Sequence, residues 1–119
     1  DVARLLQDSE TIARPKGFIV LSEGAPGETM FVILEGMIEV TIEDRLVEML
    51  GQGAVFGELA LIDGEPRSAT AVCASDCLLA PVDRARFLEL VRVEPRFALH
   101  VMRHLSKRLR RMNDALKNT

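Results

Sequence analysis

Tryptophan and tyrosine are absent, and five phenylalanines are the only aromatic residues among 119. A core must therefore come largely from Val, Leu, Ile, Met and Ala. Cysteine is scarce: Cys73 and Cys77 are too few for a disulfide framework, a four-ligand metal set or an iron–sulfur cluster. They read as two small buried hydrophobes in a reducing compartment, which makes the cytoplasm the expected location. No apolar run approaches the ~18 residues of a membrane span, and the start lacks the pattern of a signal peptide. Histidine occurs only as His100 and His104, both in the last predicted helix. A metalloenzyme on a β-roll needs histidines on strands, and the i, i+4 pair reads instead as two exposed helix residues. Ser68 and the cysteines have no histidine near them in sequence, so a nucleophilic enzyme is not expected. No catalytic residue, metal or cofactor is assigned.

What is present is a globular composition, 48% hydrophobic and 28% charged, in a length that suits a single domain over residues 1–119. The net charge is −3, unevenly placed: from Arg96 onward seven Lys or Arg face one acid, Asp114, whereas the preceding chain carries eight bases and seventeen acids. The basic segment reads as a solvated helix face, because the acidic body and the lack of a DNA-reading module argue against direct nucleic-acid binding.

Along the chain, Leu5, Leu6 and Ile12 among polar residues predict a helix over 1–14, ended by Pro15. Strands are predicted at Phe18–Leu21, Met30–Leu34, Ile38–Ile42 and Leu46–Leu50, with turns at the glycine-rich 23–27, at Gly36, at Asp44-Arg45 and at 51–53. Val55-Phe56, Ser68–Ala74 and Cys77–Val82 continue the pattern, and short strands at this spacing predict a sandwich or jelly roll over 15–82. The period then changes. Asp83 suits the N-cap of a helix carrying Phe87, Leu88 and Val91, Pro95 interrupts it, and a longer helix follows, the two covering 83–118. In the last helix Ala98, Leu105 and Met112 interleave with Met102, Leu109 and Leu116 as a heptad seam, read as a homodimer contact through 96–118 rather than packing on the roll.

The segment 56–70, FGELALIDGEPRSAT, carries the chemistry. Gly57 lets backbone approach a ligand closely, and a helical turn over 58–61 would present unpartnered N–H groups, which attract phosphate. Arg67, after a turn on Asp63-Gly64 and Pro66, offers a forked and permanent cation. Glu58 repels phosphate but accepts hydrogen bonds from sugar hydroxyls, so the set fits a sugar phosphate. An Arg67–Glu58 ion pair that ties down a loop is the alternative, and the residues alone leave the two about even.

This string closely resembles the phosphate-binding cassette of the cyclic-nucleotide-binding domain family, with FGELALI, a short turn and PRSAT. LSEGAPGETMFVILEGMIEV resembles the family's early strands, GQGAVFGE the approach to the cassette, and CLLAPVDRARFLELV the last strand and first C-terminal helix. The resemblance implies a mainly β fold with flanking α, a double-stranded β-helix (jelly-roll) β-roll with an N-terminal helix and two C-terminal helices. It implies Arg67 on a cyclic phosphate and Glu58 on the ribose 2′-hydroxyl. Gly57, Leu59 and Ala60 form the turn, Ser68 and Ala69 donate to phosphate, and Val40, Val47 and Phe56 wall the pocket. Ser68 after the arginine, where relatives selective for cyclic GMP often carry threonine, points to cyclic AMP as the ligand. Asn113, next to Met112, and Arg108 are the candidates for base contacts, with solvated or seam positions as the alternative. The expected activity is ligand sensing without chemistry, reported through the last helix to an effector protein or fused domain. The chain is expected to be either a free-standing sensor or part of a longer regulator, and a ligand-free dimerisation module is the remaining alternative.

Overall fold

The computed structural model describes residues 2–6 and 8–117. Eight strands form two antiparallel four-stranded sheets. In chain order the elements are α1 (Val2–Leu5), β1 (Ile12–Arg14), β2 (Ile19–Leu21), β3 (Met30–Glu35), β4 (Ile38–Ile42), β5 (Arg45–Leu50), β6 (Val55–Phe56), α2 (Glu58–Asp63), β7 (Thr70–Cys73), β8 (Cys77–Val82), α3 (Arg84–Val93) and α4 (Arg96–Lys117). One sheet runs β1-β8-β3-β6 and the other β2-β7-β4-β5. This is the mainly β jelly roll with C-terminal helices that the sequence predicts.

The first sheet is covered on both faces. Ile33, Phe56 and Leu79 pack toward the second sheet, with Ile38, Val40 and Ala71 opposite. Met30, Val32, Ala80 and Val82 pack outward against Leu90, Phe97 and Val101 of α3 and α4. The alternation of a strand, one side chain up and the next down, thus feeds two cores at once. The second sheet turns its other face to solvent, which leaves Ile19, Val47 and Met49 exposed. Aromatic scarcity is met by pairing: Phe31 stacks on Phe56 within the roll and Phe87 meets Phe97 between α3 and α4.

Three expectations need correction. The helix predicted over 1–14 is confined to Val2–Leu5, and Ile12–Arg14 is instead a strand paired with Leu79, Leu78 and Cys77 of β8. The free edge of β8 is a stronger demand than local helix propensity, because its backbone groups need partners. The turn after β4 uses Glu43 and Asp44, both at positive φ, so Arg45 already belongs to β5. Two left-handed residues suit the right-handed twist of a hairpin. His100 and His104 are not exposed: His100 Nε2 lies 2.8 Å from the Gly53 carbonyl and His104 faces β5 and α2. Asp83 caps α3 as its sequence position predicts, accepting from the Arg86 N–H at 2.7 Å. Predicted bounds at Asp1 and Asn118 lie outside the described residues.

Candidate functional site

A small cavity sits where the roll meets α4. Ten of the twelve sequence-predicted site residues line it: Val40, Phe56, Gly57, Glu58, Leu59, Ala60, Arg67, Ser68, Ala69 and Arg108. Leu21 and Ala71 complete the wall. They were missed although each lies in a predicted strand, because strand prediction does not say which strand faces which cavity. The free space in the cavity is only about 40 Å³, enough for a few water molecules.

Arg67 forms the cationic end. Its side chain is buried, and the guanidinium donates to the carbonyls of Gly57 at 3.0 Å and Thr29 at 2.7 Å. Among the described residues no carboxylate lies within ion-pair distance of it. The loop before β3 sets its position: the Arg67 N–H donates to Ala25 O and the Gly24 N–H to Arg67 O. Two glycines make room. A Cβ on Gly27 would stand 2.9 Å from Arg67 Nη2. Gly57, at φ 79°, would put a Cβ within 3.2 Å of both Leu21 and the Thr29 carbonyl, and its backbone is in the region L-residues avoid. Gly57 is also the N-cap of α2, and no side chain caps the leading N–H groups of that helix.

Glu58 forms the anionic end. It is 1% exposed, and neither carboxylate oxygen accepts a hydrogen bond of good geometry. Arg108 Nη1 approaches Oε1 to 3.1 Å and His104 Nε2 to 3.9 Å. Burial pushes the Glu58 carboxyl above its ordinary value of 4.5, and the Arg108 charge opposes that rise. Burial, with Arg108 beside it, holds His104 down at about 4, so its ring is neutral at neutral pH. The loop-tying Arg67–Glu58 ion pair is therefore not formed, and each charge keeps its own end of the cavity.

Val47 is not brought to the cavity. On β5 the register passes from Glu48, opposite Val40, to Leu46, opposite Thr41, so Val47 is the extra residue of a bulge and is 52% exposed. Glu48, paired opposite Val40 and two residues from the buried Leu50, points inward instead, a residue that the sequence reading did not single out. Its carboxylate accepts from Arg108 Nε and Nη2, each at 3.3 Å, and from Arg111 Nη2 at 2.5 Å. Asn113 also stays off the cavity wall. Five residues beyond Arg108, it is about 140° further round α4 and exposed to solvent. Both cysteines are buried and free, and burial pushes the Cys73 thiol up to about 11. The described residues contain no cluster of three or more His, Cys, Asp or Glu able to hold a metal, and no helix among them is long and apolar enough to cross a membrane.

With the geometry established, comparison with known proteins identifies the architecture. The pattern of the family described as "Cyclic nucleotide-binding domain" matches residues 12–94. A CRP-like cAMP-activated global transcriptional regulator of Mycobacterium tuberculosis is 27% identical over 97% of this chain, which spans 54% of that protein. A cyclic nucleotide-gated potassium channel of Mesorhizobium japonicum is 40% identical over 71% of this chain and 23% of its own length. The crystal structure of the Thermus thermophilus catabolite activator protein superposes with a TM-score of 0.83 and 29% identity, covering 98% of this chain and 57% of that one. The chain thus spans little more than half of these relatives, or less. The family match runs from β1 through α3 and takes in the whole cassette between Arg67 and Glu58. The chain belongs to the cyclic nucleotide-binding domain family.

Proposed function

We propose that this chain is a non-catalytic sensor domain for cyclic AMP, reporting occupancy through α4. One observation carries the reading: among the described residues a buried arginine without a carboxylate partner faces the same cavity as a buried glutamate whose only close cation is the displaceable Arg108 and whose oxygens accept no hydrogen bond of good geometry. A cyclic phosphate supplies the missing anion to Arg67, and a ribose 2′-hydroxyl supplies the missing donor to Glu58. Ser68 and the Ala69 N–H add donors to the phosphate, Gly57, Leu59 and Ala60 line it with backbone, and Val40 and Phe56 give the apolar wall. Ser68 rather than threonine favours cyclic AMP over cyclic GMP.

The cavity is too small for a nucleotide while Arg108 reaches into it. Binding therefore selects a state in which Arg108 has left Glu58, and that differential affinity is what moves α4. The seam residues Met102, Leu109, Met112 and Leu116 are all more than half exposed, which supports a homodimer through 96–118. Asn113 faces away from its own cavity, so a base contact from it requires rotation of α4 or a second copy. The 119 residues are read as one cytoplasmic domain that touches neither membrane nor nucleic acid itself and acts on an effector protein or fused domain. The mycobacterial regulator, matched over nearly all of this chain, supports the further reading that this is the ligand-binding part of such a regulator.

Isothermal titration with cyclic AMP and cyclic GMP tests the proposal. Saturable binding, tighter for cyclic AMP, is the expected result. Absence of heat and of any thermal shift with both nucleotides would leave a β-roll dimerisation module.

A further inference from the structure

From the pairing of Glu48 opposite Val40 on β5 and the contacts of Arg108, we infer that Glu48 is a positioning residue for nucleotide binding, the carboxylate onto which Arg108 withdraws when a ribose hydroxyl claims Glu58. The inference rests on the nucleotide reading above. Arg108 divides its guanidinium: Nε and Nη2 both point to Glu48, Nη2 also lies 3.2 Å from His104 Nε2, and only Nη1 reaches Glu58. Releasing Glu58 therefore costs Arg108 one contact while its two-point grip on Glu48 survives. Two-point pairing of this kind fixes orientation as well as charge.

The surroundings fit that division of labour. The Glu48 side chain is 7% exposed, so its charge is poorly screened, and Arg111 also reaches it from the next turn of α4. His104, neutral at neutral pH, adds no competing charge beside Glu58. Two buried carboxylates thus face two arginines, and the sugar hydroxyl removes one carboxylate without leaving an arginine unpaired. With Glu48 neutralised, Arg108 has only Glu58 as an anionic partner and competes directly with the ribose. The consequence is specific to the 2′-hydroxyl. The phosphate end, held by the roll around Arg67, is untouched.

The test compares wild type, Glu48→Gln, Arg108→Ala and the double variant, each titrated with cyclic AMP and its 2′-deoxy analogue after a thermal melt to check folding. Glu48→Gln should weaken cyclic AMP about tenfold, corresponding to one charge-assisted contact, and the deoxy analogue less than about twofold. In the Arg108→Ala background the same substitution should change neither. Equal losses for both nucleotides would reduce Glu48 to general support, and tighter cyclic AMP binding would make it a latch that holds the cavity shut; either result overturns the inference, as would no change at all. Amide exchange of the ligand-free protein supplies a readout independent of nucleotide. Faster exchange across 104–112 in Glu48→Gln supports the anchoring of α4 even if no nucleotide binds wild type, a result that would sink the nucleotide reading separately. Unchanged exchange there overturns the anchor itself.

Discussion

The two ends of the cavity are built on opposite plans. Arg67 is held by backbone: two carbonyls, a paired loop and two glycines, all within the roll. Glu58 is held by side chains of α4, with Arg108 and His104 beside it and Glu48 sharing the same arginine. A cation tied to backbone dipoles keeps its place whether or not an anion is bound. A carboxylate tied to a helix changes partners when that helix moves. On the function proposed above, the rigid end would serve capture and the shared end reporting.

The largest expected effect strikes the rigid end. Arg67→Ala removes the cation of that end and should weaken cyclic AMP by ~2–5 kcal/mol, at least about tenfold; the melting temperature should fall as the Gly57 and Thr29 carbonyls lose their donor, with the fold retained. Titration of a folded variant with wild-type affinity would dissolve the contrast between the ends.

Next comes the shared end. Glu58→Gln should cost about 1.5–3 kcal/mol of cyclic AMP affinity and nearly none for the 2′-deoxy analogue. Were both analogues to lose equally, Glu58 would be a structural support and not the sugar contact.

Acid stability sharpens the comparison further. His104 sits near 4 in the fold against an ordinary 6.5. Between those values the unfolded chain binds a proton that the folded one refuses, so stability falls as pH drops from 6.5 to about 4. The loss is on the order of 2 kcal/mol. Glu58 acts in reverse: its raised carboxyl gains stability as pH falls from its folded value toward 4.5. His104→Gln should therefore flatten the acid limb and Glu58→Gln steepen it, read by urea unfolding at a series of pH values. A limb unchanged by His104→Gln would assign the acid response to other groups.

The smallest effect belongs to Val47. Exposed on the bulge, Val47→Thr should alter stability and cyclic AMP affinity by less than about 0.5 kcal/mol. A clear loss of affinity would mean that β5 closes on the ligand.

Much of this was legible before any coordinates. The segment from Phe56 to Thr70 is a local feature: its glycines, turn residues and arginine lie within one short loop, and its resemblance to the family's cassette is what marks it as the proposed phosphate end. Val40 and Phe56 were legible through the family resemblance, which assigns them to the pocket wall. Val47 was assigned there by the same resemblance and misplaced, since in this chain it is the extra residue of a bulge. Glu48 was overlooked because a glutamate in an exposed-looking hairpin reads as solvated, although it is in phase with the buried Leu50 on the same strand.

The sequence by itself determined the β-roll and the helix cap at Asp83, because these depend on period, turn chemistry and neighbours close in the chain; the anion-binding role of the 56–70 loop came from its family resemblance. Only the tertiary structure decided that Ile12–Arg14 is a strand, that Glu58 has Arg108 and not Arg67 beside it, and that the two arginines of α4 close on Glu48. Those partners lie 50 to 67 residues apart in the chain, and such pairings are settled by which buried groups and open strand edges remain to be satisfied once the roll has closed.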